Sequence, residues 1–183
     1  MSSESIRVLL AADHAVVRQG TRELLEREEG INVVAEASDG KKAVQKAIKQ
    51  RPDVVVMDFA MPELNGIEAT RQIKAVAPGI AILVLTAYDS DQYIFAFLEA
   101  GAAGYLLKDV QVDELVDAIR AVHAGESILH PAIARKVINR FAQPEQQPHT
   151  VRAPLDQLTE RELQVLKMAA KGMSNREISQ ELT

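Results

Sequence analysis

The chain has 183 residues, of which 47% are hydrophobic and 26% are charged, and these proportions are normal for a globular protein with one domain and a smaller unit. Its formal net charge of -5 argues against a strongly basic nucleic-acid binder, and the absence of cysteine excludes disulfides, thiolate metal sites and thiol nucleophiles. Because no segment resembles a signal peptide or a membrane span, we expect a cytoplasmic protein.

Five short apolar runs alternate with five segments of helical periodicity between Ile6 and Ala124. The runs predict strands over Ile6–Ala12, Ile31–Ala37, Val54–Met57, Ile80–Leu85 and Gly104–Leu107. The periodic segments predict helices over Val16–Glu28, Lys41–Gln50, Ile67–Val76, Asp91–Ala100 and Val112–Ala124. This alternation predicts an α/β fold: a doubly wound, five-stranded parallel sheet of the flavodoxin-like type, with helices on both faces.

The pattern changes after this first domain, which we assign to residues 1–125. Residues 126–154 predict a linker that includes a short amphipathic helix over Pro131–Phe141. The stretch Gln143–Pro154 has three prolines and no apolar periodicity, as is typical of an exposed connection.

Helical periodicity returns in residues 155–183. Thr159–Glu162 and Ser174–Glu177 each have the spacing of a capping box, which predicts the starts of two helices. Gly172 lies between them, as in the first part of a helix-turn-helix. Two such helices are too small to bury a core alone.

Four of the five predicted strands end at or directly before a polar residue, namely Asp13, Asp58, Thr86 or Lys108. Because the carboxyl ends of parallel strands meet at one edge of the sheet, we expect these side chains to converge. Carboxylates can hold Mg²⁺, and an ammonium and a hydroxyl suit phosphoryl oxygens. Such a set could transfer a phosphoryl group onto a carboxylate. Taken singly, Asp58 could instead cap the following loop, and Thr86 could be a turn residue.

Residues 6–124 resemble the receiver domain of bacterial two-component response regulators. The matching motifs are Ala-Asp-His at 12–14, Met-Asp-Phe-Ala-Met-Pro at 57–62, Leu-Thr-Ala at 85–87 and Tyr-Leu-Leu-Lys at 105–108. Leu-Thr-Glu-Arg-Glu at 158–162 and Lys-Gly-Met-Ser-Asn-Arg-Glu-Ile at 171–178 are similar to the LuxR-type helix-turn-helix of the NarL/FixJ subfamily. The resemblance covers nearly the whole chain.

This resemblance implies a role for each residue at the predicted edge of the sheet. Asp58 is then the acceptor that takes a phosphoryl group from a histidine kinase. The Mg²⁺ ligands are Asp13, Asp58 and the backbone carbonyl of Ala60, and Lys108 contacts a phosphoryl oxygen.

The resemblance also implies a switch. Thr86 supplies the hydroxyl that moves toward the phosphoryl group, and the rotamer of Tyr105 follows, although a tyrosine on a short strand can also be simple packing. Phosphorylation adds roughly 1.5 to 2 negative charges, which bias a pre-existing equilibrium between two states. The expected outcome is homodimerisation and control of DNA binding and transcription.

Two features depart from the family pattern. Ala12 stands where the family has the first of two consecutive acidic residues, and loss of such an outer partner costs metal sites about 10- to 100-fold in affinity. The recognition helix of the helix-turn-helix is expected to follow Thr183. We therefore expect a truncated regulator, with promoter DNA as a partner only of a longer parent.

Two other functions are open on this sequence. Ala12 is compatible with a receiver-like interaction module that works without phosphorylation. An aspartyl-phosphate hydrolase related to the haloacid dehalogenases would need a second Asp two residues after Asp58, but that position is Ala60. We therefore expect that the protein is not an enzyme.

Overall fold

Strands and helices alternate along residues 5–142, which are the residues described by the computed structural model. The strands are β1 Ile6–Ala11, β2 Ile31–Ala37, β3 Val54–Met57, β4 Ala81–Thr86, β5 Gly104–Leu107 and β6 Ile128–Leu129. The helices are α1 Ala15–Leu25, α2 Gly40–Gln50, α3 Gly66–Val76, α4 Asp91–Glu99, α5 Val112–His123 and α6 Pro131–Ala142. The predicted helix-turn-helix and the linker segment Gln143–Pro154 lie outside the described residues.

All described strands join one parallel sheet in the order β2-β1-β3-β4-β5-β6. This confirms the doubly wound parallel α/β fold, but the predicted count of five strands is wrong by one. The extra strand, β6, has two residues and pairs Leu129 with Tyr105 at the edge of the sheet. A strand this short has no periodicity to detect, because its pairing with β5 defines it rather than its own pattern.

The uninterrupted apolar runs form strands that are covered on both faces. Residues of β1, β3 and β4 alternate between two cores, one on each side of the sheet. Leu9, Val55 and Met57 belong to one core, and Val8, Val54 and Val56 belong to the other. Burial on both faces explains why these strands are apolar throughout instead of alternating with polar residues.

The elements after α5 also contribute to the core. Ile133 of α6 is fully buried and belongs to the same core as Leu9, Val55 and Tyr105. Within the described part of the chain, no helix has both the length and the apolar character needed to cross a membrane.

Candidate functional site

Asp58 directly follows β3 and is one of the few buried charged residues in the described structure, with 3% of its surface exposed. Its Oδ1 accepts a hydrogen bond of 2.7 Å from the backbone N–H of Phe59. Its Oδ2 contacts the ammonium of Lys108. A buried carboxylate is costly unless it is paired, and here both oxygens have a donor.

Lys108 directly follows β5, two strands away from β3. Its backbone N–H donates to the carbonyl of Thr86 at 2.9 Å, which holds the end of β5 against the end of β4. The ammonium then crosses the end of β4 to reach Asp58, while 28% of the Lys108 side chain stays exposed. The structure therefore brings these two predicted site residues together at the carboxyl edge of the sheet, where open α/β sheets bind ligands.

The loop after Asp58 is held close to β3 by Gly66, the first residue of α3. Its N–H donates to the carbonyl of Phe59 at 3.0 Å, and the side chain of Asn65 caps α3 by accepting from Glu68 N–H at 2.9 Å. A Cβ on Gly66 would lie 2.0 Å from the carbonyl oxygen of Asp58. Only glycine therefore permits this approach, which fixes the backbone around Asp58.

Asp13 follows β1, and its carboxylate contacts the neighbouring imidazole: Nδ1 of His14 lies 2.6 Å from Oδ1 of Asp13. The carbonyl of Ala60 accepts no hydrogen bond from any residue within 5–142. Two carboxylates and a free carbonyl are hard oxygen donors of the kind that Mg²⁺ takes, with water completing its shell. The residues present thus fit Mg²⁺, although within 5–142 no three acidic or histidine side chains are grouped as a metal site.

Ala12 contributes only a methyl group at the carboxyl edge of the sheet, and the guanidinium of Arg18 from α1 lies next to Ala12. Nη1 of Arg18 donates to the carbonyl of Ala12 at 2.6 Å, and Nε donates to Glu36 at 3.3 Å. A cavity of about 20 Å³ is lined in part by Ala12, Arg18, Asp58 and Lys108. Arg18 was not predicted from the sequence, because its place beside the site depends on how α1 packs on the sheet.

Thr86 and Tyr105, the two predicted switch residues, are both fully buried. They share a partner that was not predicted from the sequence, the backbone of Tyr88. The Tyr88 N–H donates to Oγ1 of Thr86 at a long 3.4 Å, and the Tyr105 hydroxyl donates to the Tyr88 carbonyl at 2.8 Å. One residue of the loop between β4 and α4 therefore connects to both side chains.

An aromatic cluster extends from Phe59, next to Asp58, to Tyr105. The ring of Phe59 lies 4.2 Å from that of Tyr93 and 5.3 Å from that of Tyr88, and Phe97 meets Tyr105 edge to face at 5.8 Å. The chain has three tyrosines and no tryptophan, so every tyrosine belongs to this cluster. Tyrosine emission therefore reports on this site alone.

The buried phenol of Tyr105 predicts a pH effect on stability. Burial, together with the negative charges of Asp89 and Asp58, raises the pKa of Tyr105 to about 12, from its ordinary value of 10.0. The fold thus favours the neutral phenol. The stability that the neutral Tyr105 phenol contributes to the folded state is complete below pH 10.0 and is lost as the pH rises toward 12.

We expect the free energy of unfolding in urea to fall more steeply between about pH 10 and 12 in the unmodified chain than in Tyr105→Phe. Tyr93→Phe is the control, since Tyr93 belongs to the same aromatic cluster but is only partly buried. Equal slopes in the unmodified chain and in Tyr105→Phe would contradict this account.

Comparison with known proteins identifies two regions of the chain. Residues 8–120 match the family model described as "Response regulator receiver domain". Residues 156–183 match the model described as "Bacterial regulatory proteins, luxR family".

Individual relatives match over most of both chains. The transcriptional regulatory protein LiaR of Bacillus subtilis is 42% identical over 97% of this chain and 82% of its own length. A LuxR-family two-component response regulator from Aurantimonas sp. SI85-9A1 is 39% identical in sequence. Its crystal structure matches with a TM-score of 0.71 over 75% of this chain and 99% of that one. The response regulator ChrA, from a heme-sensing two-component system, is 41% identical in sequence. Its crystal structure matches with a TM-score of 0.62 over 98% of this chain and 82% of that one.

Proposed function

Since this chain belongs to the NarL/FixJ type of two-component response regulators, which control transcription, we propose that Asp58 accepts a phosphoryl group from a histidine kinase. The relatives are transcriptional regulators rather than enzymes, which confirms the expectation that the protein is not an enzyme. The observation that carries the proposal is the buried carboxylate of Asp58, held at the end of β3 against the ammonium of Lys108.

The proposed reaction is a displacement at phosphorus. A carboxylate oxygen of Asp58 attacks the phosphorus of the donor, the bond from phosphorus to the kinase imidazole breaks, and its electron pair stays on the imidazole. An acyl phosphate results. Lys108 is positioned to transfer its contact from Oδ2 of Asp58 to a phosphoryl oxygen, because this chemistry depends mainly on positioning and charge neutralisation.

Asp13, Asp58 and the Ala60 carbonyl would hold Mg²⁺ in this site. When bound, the ion supplies further neutralisation of charge on the phosphoryl oxygens. Ala12 leaves the site with one carboxylate fewer than the family pattern, so we propose that its affinity for Mg²⁺ is reduced.

The response to phosphorylation is proposed to begin at Thr86. Its oxygen accepts only a long, weak contact from the Tyr88 N–H, so the hydroxyl can move to donate its proton to a new phosphoryl oxygen at little cost. Movement of Thr86 would then release Tyr88 and, through it, the hydroxyl of Tyr105. The added charge biases the receiver toward this second arrangement.

At the level of the whole chain, residues 1–125 are proposed to act as the receiver and 155–183 as the LuxR-type unit. Residues 126–154 are proposed as the linker, whose first part, β6 and α6, packs on the receiver. Phosphorylation is proposed to promote homodimerisation and to control the contact of the regulator with promoter DNA in the cytoplasm. Membership of this family supports the histidine kinase and DNA as partners.

Intact-mass spectrometry after incubation with a small phosphodonor and Mg²⁺ tests the proposed acceptor. We expect one phosphoryl adduct on the chain and none on Asp58→Asn, because the amide is a poor nucleophile. Asp53→Asn is a suitable control, since Asp53 precedes β3 at the opposite end of the strand. An adduct that persists in Asp58→Asn, or that is lost in Asp53→Asn, would show that Asp58 is not the acceptor.

A further inference from the structure

Helix α6 is attached to the loop between β4 and α4 through one lysine. The ammonium of Lys136 donates to the backbone carbonyl of Asp89, and it lies 3.4 Å from Oδ2 of Asp89 and 3.5 Å from Oδ1 of Asp91. In residues 5–142, no other cation pairs with either carboxylate. A single charge thus meets three oxygens around the start of α4.

Two further contacts hold this end of the chain against the same region. The His130 N–H, just before α6, donates to the carbonyl of Tyr105 at 2.9 Å. The guanidinium of Arg140 lies 5.4 Å from the ring centroid of Phe95 on α4, within the range of a cation–π contact. Together with the buried side chain of Ile133, these contacts fix α6 beside α4.

The loop that Lys136 holds is the one that connects to both switch residues. Asp89 directly follows Tyr88, whose N–H and carbonyl contact Thr86 and Tyr105. A displacement of Tyr88 therefore moves the oxygen to which Lys136 donates. The Lys136 side chain is 31% exposed, so its contact is weak enough to form or break within a two-state change.

We propose that Lys136 is a positioning residue that couples the β4–α4 loop to α6, so that phosphorylation of Asp58 changes how firmly α6 is held. This inference rests on the proposed function. Lys136 stabilises the arrangement in which Tyr88 holds Thr86 and Tyr105. When phosphorylation draws Thr86 away, the loop moves, the Lys136 contact is lost, and α6, the last described element before the LuxR-type unit, is loosened.

The linkage is reciprocal, so loss of Lys136 favours the phosphorylated arrangement. We expect Lys136→Gln to bind the phosphoryl mimic beryllofluoride, in the presence of Mg²⁺, about twofold to fivefold more tightly than the unmodified chain. This is the factor in an equilibrium constant that one exposed ion pair typically contributes. Tyrosine emission of the full chain follows this titration. Lys136→Arg should behave as the unmodified chain, and so should Arg135→Gln, which changes an exposed residue with no ion pair within 5–142.

Hydrogen exchange of the α6 amides, measured with and without the phosphodonor, tests the coupling itself. Phosphorylation should speed exchange in the unmodified chain. In Lys136→Gln, exchange should already be fast and should change little on phosphorylation, whereas a purely structural role would leave the phosphorylation-dependent increase intact. Intact mass is recorded on the same samples.

The possible failures are distinguishable. Suppose that Asp58 carries the adduct. The role of Lys136 alone would then be overturned if phosphorylation sped α6 exchange in Lys136→Gln as much as in the unmodified chain, or if it changed α6 exchange in no variant. No adduct in any variant would overturn the proposed function and this inference together.

Discussion

Ala12→Asp is expected to raise the affinity of the receiver for Mg²⁺ about 10- to 100-fold. Ala12 presents only a methyl group at the cavity that Asp58 also lines, so a bound divalent ion would meet the two carboxylates of Asp13 and Asp58. A third carboxylate adds charge and orients the water molecules that complete the coordination shell. The affinity can be measured by titrating Mg²⁺ in a calorimeter.

Ala12→Asn is the matched control, because it has nearly the same shape as Asp but no charge. A comparable gain in Ala12→Asn, or no gain in Ala12→Asp, would show that the absent carboxylate does not weaken the site. If the chain forms no adduct with a phosphodonor while Ala12→Asp does, residue 12 has switched the acceptor off. The alternative function, a module that works without phosphorylation, would then be preferred.

Lys108→Met is expected to lower the free energy of unfolding by about 2 to 3 kcal/mol. The substitution leaves the carboxylate of Asp58, which is 3% exposed, without its cation. Breaking a fully buried pair costs roughly 3 to 5 kcal/mol. We expect a smaller loss because the Lys108 side chain is 28% exposed and water can reach part of the site. Urea unfolding monitored by circular dichroism provides the measurement.

A double variant separates loss of the charge pair from loss of packing. Adding Asp58→Asn to Lys108→Met should recover most of the lost stability, because the buried charge is removed as well. Lys49→Met on α2 is the control, since Lys49 is exposed and forms no ion pair within the described residues. If the double variant were as unstable as Lys108→Met, the loss would come from packing instead.

The fold was predictable because its signals are local. The apolar run Val54–Met57 needs only its own composition to indicate a strand buried on both faces, and the alternation of such runs with helices leads to the parallel order. The position of Asp58 at the carboxyl edge follows from the same rule. Strand β6 was missed because a two-residue strand carries no periodic signal of its own.

For the site, the sequence predicted which residues lie close together but not their further contacts. Asp58 and Lys108 were expected to meet because each follows a strand, and they are in contact although 50 positions separate them. The partners contributed by Arg18, Tyr88 and Lys136 were not predicted. Their contacts depend on how a helix or a loop packs against the sheet, and the pattern of charged residues along a helix does not indicate which of them will face a distant loop.

The most direct test of the account is to locate the phosphoryl group on the chain. After incubation with a small phosphodonor and Mg²⁺, borohydride reduces an aspartyl phosphate to homoserine, which peptide mapping by mass spectrometry assigns to one position. We expect homoserine at position 58 alone, in the peptide that carries Phe59. Homoserine at position 13 or elsewhere, with an unmodified Asp58, would contradict it.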